Sequence, residues 1–237
     1  MLSPDEVRAQ LARIREQVGP RVTIVAATKY VSLEEMGVLA EAGVEVVGEN
    51  RAQDLEAKYA VYGDAFRWHF IGHLQSNKVK VVNRVCELVH SLDSHSAAAR
   101  LEIPALLQVN LAGEASKSGV GPDEIAGYLR YDVRGLATMP PGTDDPERSR
   151  PWFRRLRELA GEHDLAELSM GTTQDFRVAV EEGATMIRVG ALQVQDHRDR
   201  VLELVRDLLR IVEAARQDEV HPHGARVRNR GHVAHRA

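Results

Sequence analysis

Short apolar runs rich in valine and isoleucine alternate with longer amphipathic stretches along most of this 237-residue chain. The runs have the β-branched character of buried strands, and the stretches between them repeat their apolar residues at helical spacing. Strands are expected at 22–28, 44–47, 67–71, 88–92, 105–110, 132–136, 166–169 and 186–189, and helices at 32–42, 51–60, 76–85, 123–130, 151–162 and 174–182. Ahead of them, Ser3 and Glu6 form a capping box for a helix whose stripe is Val7, Leu11 and Ile14. Such alternation leaves few topologies, because strands joined through helices pair in parallel. Eight of them favour a (β/α)8 TIM-like barrel over an open doubly wound sheet. No G-x-G-x-x-G follows the first strand, which argues against a dinucleotide-binding sheet.

A barrel gathers the carboxyl ends of its strands into one mouth. The residues expected there are Lys29, Gly48-Glu49-Asn50, His69 with Gly72 and His73, the stretch after Asn110, Thr138-Met139, Ser169-Met170-Gly171 and Arg188-Val189-Gly190. Lys29 closes the run Val22 to Thr28 and precedes a helix start at Ser32. Taken alone it reads as a lysine that leaves the strand and snorkels to water; polar or glycine-rich groups at nearly every other exit argue for a functional amine. His69 and His73 are four apart, but on a strand end and a glycine turn rather than a helix face, so they read as mouth lining and loop hydrogen bonding, not as a metal pair. Arg188 lies on an otherwise apolar strand and calls for an acid partner, Glu49 or Asp175, since an unpaired buried charge is expensive.

Charge and composition exclude several classes. The formal net charge is −4, and residues 221–237 hold four arginines and no acids, so the remainder carries −8 and makes a poor nucleic-acid binder. That tail also contains His221, His223, His232 and His235, broken up by Pro222, Gly224 and Gly231. It reads as a mobile extension. A barrel domain over 1–216 with a basic tail over 217–237 is therefore expected, closed by an amphipathic helix through Val201, Leu204, Val205, Leu208, Leu209 and Val212. No apolar run approaches the roughly 20 residues that span a bilayer, and the N-terminus lacks a basic stretch followed by an apolar one. The chain reads as cytoplasmic, with no membrane partner. Its one cysteine, Cys86, sits among Val81, Val82, Val85 and Leu88 and reads as core.

Six blocks stand in order: Ala27-Thr28-Lys29; Gly48-Glu49-Asn50-Arg51; the run Trp68 to Lys78; Val109-Asn110 with Ser116-Lys117-Ser118-Gly119; Leu168-Ser169-Met170-Gly171 with Asp175; and Arg188-Val189-Gly190. On these blocks the chain resembles the pyridoxal phosphate homeostasis proteins, single-domain relatives of the alanine racemase N-terminal barrel, over about residues 3–191. The resemblance implies that Lys29 holds pyridoxal 5′-phosphate (PLP) covalently, as a Schiff base, and a dry mouth is expected to desolvate its amine and free the attacking lone pair. It places Asn50 beside the cofactor ring and Arg188 near the ring nitrogen, where a cation weakens the ring as an electron sink. The phosphate is expected against Ser169, Gly171, Thr173, Arg188 and Gly190, with Thr172 and Thr173 leading into a helix that starts near Gln174.

The resemblance implies a non-catalytic carrier that buffers PLP and passes it to apo PLP-dependent enzymes. Two other functions remain open from the sequence: an amino-acid racemase-like or decarboxylase-like enzyme, and a degenerate barrel that binds a protein partner without PLP. Racemases of this type take a second base from a tyrosine in an added domain, and residues 192–237 contain no tyrosine. The chain departs from the family at Ala191, where a threonine is usual, and in short connections at 93–104, 121–132 and 161–166. Such connections shorten the outer helices and are expected to leave strand backs partly exposed.

Overall fold

The computed structural model describes residues 3–114 and 117–190. Eight parallel strands close into a barrel in sequence order: β1 (Thr23–Ala27), β2 (Val46–Glu49), β3 (Arg67–Phe70), β4 (Leu88–Leu92), β5 (Ala105–Gln108), β6 (Val133–Ala137), β7 (Glu167–Thr172) and β8 (Met186–Gly190). Around them run α1 (Pro4–Val18), α2 (Glu35–Glu41), α3 (Ala52–Tyr62), α4 (Val79–Val85), α5 (His95–Ala98), α6 (Arg150–Glu162) and α7 (Phe176–Glu181). Ala191, the amphipathic stretch through Val212, the boundary expected at residue 216 and the basic tail lie outside the described residues. No described helix is long and apolar enough to cross a membrane.

α1 begins as expected, with the Glu6 amide donating to Ser3 Oγ at 3.3 Å and the Glu6 carboxylate accepting from the Ser3 amide at 3.3 Å. It packs against both α2 and α7. Arg8 donates to the Glu41 carbonyl at 3.0 Å and Arg177 to Gln17 at 2.8 Å, so the N-terminal helix is tied to both α2 and α7.

Alternation along the strands sorts side chains into two cores. Ile24, Ala26, Val47, Trp68 and Phe70 face the helices and join Val7, Leu55 and Phe153 in one continuous shell. Leu88, Leu106, Ala137 and Met186 form a separate cluster, the floor of the barrel interior. Two residues further on in β4 and β8 the same face presents His90 and Arg188. The interior is thus apolar at its amino-terminal end and polar toward the mouth.

The outer ring is shortened where the sequence indicated, but the strand backs are covered, contrary to expectation. α5 has four residues and the helix expected at 123–130 is a 3₁₀ segment, Pro122–Tyr128. Even so, Val89, Leu107 and Leu136 are fully buried and share one apolar cluster with Ala97, Ile125 and Tyr128 of the short segments. Tyr128 widens the cover by stacking on His95 at 4.0 Å. β7 runs beyond the expected end to Thr172 and bulges against β8 between Ser169 and Thr172. Cys86 is buried, with its thiol pushed up to about 12 by burial, then by Glu49 and Glu87, so it is core rather than nucleophile.

Gly135 is where the register leaves no room. A Cβ there would fall on the backbone carbonyl of Glu167, which cannot rotate away as a side chain can. Gly135→Ala is expected to lower unfolding stability by about 1–3 kcal/mol through overpacking, read as a reduced urea midpoint. An unchanged midpoint would contradict the β6–β7 pairing.

Candidate functional site

Barrel closure assembles the mouth. Ala27 pairs with Gly48 on one side and with Gly190 on the other, so the exits of β1, β2 and β8 adjoin. Lys29 lies in the turn beyond β1, exposed, with its Nζ 4.8 Å over the ring of Tyr30. The desolvated amine expected from the sequence is not what the barrel presents. β1 ends at Ala27, the buried residue after it is Thr28, and the lysine falls on the exposed turn.

Thr28 is held from several directions. Its amide donates to the Gly48 carbonyl at 3.0 Å and its hydroxyl to Glu49 Oε1 at 2.6 Å. Lys58, from α3, donates to the same Oε1 at 2.6 Å and to the Thr28 carbonyl at 2.8 Å. Glu49 and Lys58 are both buried, and the second carboxylate oxygen of Glu49 has no partner among the described residues.

A second polar group lies inside the barrel. His69 Nδ1 is 2.9 Å from His90 Nε2, and His90 Nδ1 is 2.7 Å from Ser169 Oγ, linking β3, β4 and β7. Burial lowers His69 to about 4, helped by Arg67, and holds His90 well below its ordinary value, helped by His69 and Arg188. Both imidazoles are therefore neutral near pH 7, and each contact joins one donor to one acceptor. Arg188 is buried beside them. It donates to the Thr138 carbonyl at 2.7 Å and to Met139 Sδ at 3.1 Å, while its Nε has no partner among the described residues. The ion pair expected with Glu49 or Asp175 does not form: Glu49 is taken by Lys58, and Asp175 acts only through its field, opposing the burial that lowers Arg188 to about 10.

The segment expected to cradle a phosphate is arranged differently in detail. α7 starts at Phe176, and Asp175, rather than either threonine, gathers the turn: its Oδ1 accepts from the Thr172 amide at 2.7 Å and hydroxyl at 3.0 Å. Thr173 Oγ1 accepts from the Gly190 amide at 3.0 Å. Gly171 has φ 90° and packs so closely on α7 that a Cβ would strike Ala179. Gly190 is exposed, and among the described residues a Cβ there would meet the Thr173 hydroxyl alone, at 3.5 Å. The Ser169 hydroxyl is fully buried on His90.

Asn50 is half-buried and its backbone lies against Gly72. With Arg51, Gln53, Phe70, His73 and Lys78 it lines a cavity of about 470 Å³. His69 and His73 diverge, the first into the barrel and the second to Asp93, 3.4 Å away at the surface. Asn110 and Lys117 order their own loop, with Asn110 donating to the Glu114 carbonyl at 2.9 Å and Lys117 to the Pro140 carbonyl at 3.1 Å. Two residues escaped the sequence reading of the site. His90 shares the inward face of Leu88, two residues before it, and Lys58 continues the buried stripe of Ala52 and Leu55; a polar residue on an inward face was the signal in each case.

No protein-family model matches the chain. Among curated proteins, the pyridoxal phosphate homeostasis protein of Aquifex aeolicus is 40% identical over 192 residues, covering 71% of this chain and 84% of that protein. Among solved structures, PipY of Synechococcus elongatus with PLP bound matches with a TM-score of 0.71 and 32% identity, over 78% of this chain and 97% of that one. The lysine/ornithine decarboxylase of Vibrio vulnificus shares the fold, with a TM-score of 0.61 at 15% identity, and this match spans 80% of the chain and 62% of the decarboxylase.

The buried imidazoles set an acid limit on stability. Above pH 6.5, His69 is neutral folded and unfolded; below it the unfolded chain takes up protons that the folded chain refuses until about pH 4. Stability should fall as pH drops through that window, by roughly 3 kcal/mol from His69, with His90 adding in the same direction. Urea unfolding at pH 7, 6 and 5 measures the slope. A His69→Gln variant should show a shallower one, and an equal slope would place the loss elsewhere.

Proposed function

The chain belongs to the pyridoxal phosphate homeostasis protein family, and on that premise we propose that it is a cytoplasmic, non-catalytic PLP carrier that buffers the cofactor and passes it to apo-enzymes. The observation that carries this reading is Arg188, a buried guanidinium at the mouth whose Nε–H has no acceptor among the described residues. A buried donor without a partner costs about 1–3 kcal/mol, and PLP offers both a ring nitrogen and phosphate oxygens as acceptors. The residues around it suit the rest of the cofactor. Lys29 is a primary amine at the exit of the strand paired with β8, and the Thr173 hydroxyl, which accepts from the Gly190 amide and keeps its own proton to donate, provides a donor for an anion. When bound, PLP supplies an aldehyde that condenses reversibly with a primary amine and releases water.

In this reading Lys29 is the covalent attachment point, Arg188 with Asn50 and His69 surrounds the ring, and Ser169, Gly171, Thr173 and Gly190 face the phosphate. Ser169 orients its neighbours through His90, since its hydroxyl is already engaged there. Arg188 supports holding over catalysis. Lowered only to about 10, it stays charged at neutral pH, so it donates a hydrogen bond without giving up its proton. A ring beside it gains little capacity to withdraw electrons.

Two outcomes are expected. Borohydride reduction of the PLP-loaded protein should fix the cofactor on the peptide containing Lys29, and Lys29→Ala should abolish labelling; a label on Lys58, Lys78, Lys80 or Lys117 would overturn the assignment. Incubating the loaded protein with alanine, serine, ornithine or lysine in deuterated water should give no Cα exchange above that of free PLP. Exchange that requires the protein and disappears in Lys29→Ala would instead establish a racemase-like enzyme.

A further inference from the structure

We infer that Glu49, Lys58 and Thr28 form a positioning device that fixes the turn from which Lys29 reaches the cofactor. This rests on the reading of Lys29 as the attachment point. The Lys29 side chain is exposed and touches the ring of Tyr30, so the reach of its amine is decided by where its backbone is held. That backbone is held with unusual redundancy. The Thr28 carbonyl, one bond from the Lys29 amide nitrogen, accepts from Lys58 Nζ at 2.8 Å and from the Val31 amide at 2.9 Å. The Thr28 hydroxyl and the Lys58 ammonium then share Glu49 Oε1, each at 2.6 Å. One helical turn on from Lys58, Tyr62 donates to the Leu33 carbonyl at 2.8 Å, so α3 grips the loop on both sides of Lys29.

A purely structural account explains this less well. Among the described residues, Glu49–Lys58 is the one ion pair with both side chains buried. Burying two charges is expensive, and well-packed apolar replacements are often neutral or stabilising. Lys58 continues a stripe of Ala52 and Leu55, where an apolar residue would serve the core. Its ammonium is instead spent on a backbone carbonyl at the one strand exit that carries the reactive amine. Holding a reacting group in a narrow range of positions accelerates its reaction, and small displacements are costly.

The test compares four proteins: wild type, Thr28→Ser, Thr28→Val and the double variant Glu49→Gln with Lys58→Met, which removes both charges together. Each is mixed with PLP, and the rise of the bound-cofactor absorbance gives the rate of capture, while circular dichroism in that band reports how the cofactor is held. Affinity for pyridoxine 5′-phosphate, which lacks the aldehyde, reports the pocket without Lys29 chemistry. The double variant should keep or raise the urea midpoint and bind pyridoxine 5′-phosphate within about two-fold, yet capture PLP about 10-fold or more slowly with a weakened dichroism band. Thr28→Val should be slowed in the same sense, and Thr28→Ser should match wild type.

A folded double variant with wild-type capture and dichroism would overturn the inference, as would a parallel loss of pyridoxine 5′-phosphate. If the double variant does not fold, the threonine pair decides, and equal capture by Thr28→Val and Thr28→Ser would sink it. Failure of borohydride to trap PLP on Lys29 in wild type overturns the attachment reading and this inference with it. Trapping in wild type with unaltered capture in the variants overturns the inference alone.

Discussion

Pairing between β1 and β8 joins the first strand of the barrel to the last, and the mouth exists only because that seam closes in one register. Val25 lies against Arg188 and Ala27 against Gly190, which brings the exit toward Lys29 level with the residues expected to meet the far side of a cofactor. A slip of one residue would turn Ile187 into the barrel and Arg188 out toward the helices, reversing every side chain of β8. Ile187 is fully buried in the outer shell and Met186 in the interior floor, so packing on both faces opposes the slip. The position of the arginine is thus enforced by its apolar neighbours rather than by an ion pair of its own.

The interior above the floor follows from that placement. Burial keeps both imidazoles from accepting a proton at neutral pH, and nearby cations act in the same direction, Arg188 on His90 and Arg67 on His69. The pair answers by hydrogen bonding in its neutral form, His69 to His90 and His90 to Ser169. Three strands are tied together beneath the mouth without a buried negative charge. Had Asp175 reached Arg188, the guanidinium would have been neutralised; the aspartate instead gathers the Thr172 turn.

Local pattern made much of this legible. The eight strands, the polar exits, the core cysteine and the short outer connections all follow from β-branched runs, period-two alternation and connection lengths. Element ends shifted where capping or bulging intervened: Ser32 and Glu35 exchange capping hydrogen bonds at 3.0 and 3.2 Å, yet α2 begins only at Glu35, and the bulge in β7 carries the strand to Thr172. What the sequence concealed were pairings between elements. Glu49 and Lys58 are near in sequence, but their bond depends on how α3 lies over β2, and His90 meets Ser169 only across the closed barrel. The exposure of Lys29 was hidden for a similar reason, since one residue of difference in the end of β1 decides whether the lysine or the threonine before it is enclosed.

The fold is shared with decarboxylases, so the barrel itself does not decide what is done to a bound cofactor. The side chains at the mouth bear on that. A carrier needs an amine that reaches the cofactor readily and releases it readily, and these demands pull in opposite directions if the amine is enclosed. On the proposed attachment at Lys29, an exposed lysine on a rigid backbone would meet both: the anchored Thr28 carbonyl limits where the amine can be, and its exposure would leave water and competing amines access to the bond. In the same proposal the charged guanidinium of Arg188 would add hold without adding an electron sink. Rigidity thus lies in the backbone of the turn and accessibility in its side chain, a division that fits the proposed carrier, for which retention and exchange matter more than turnover.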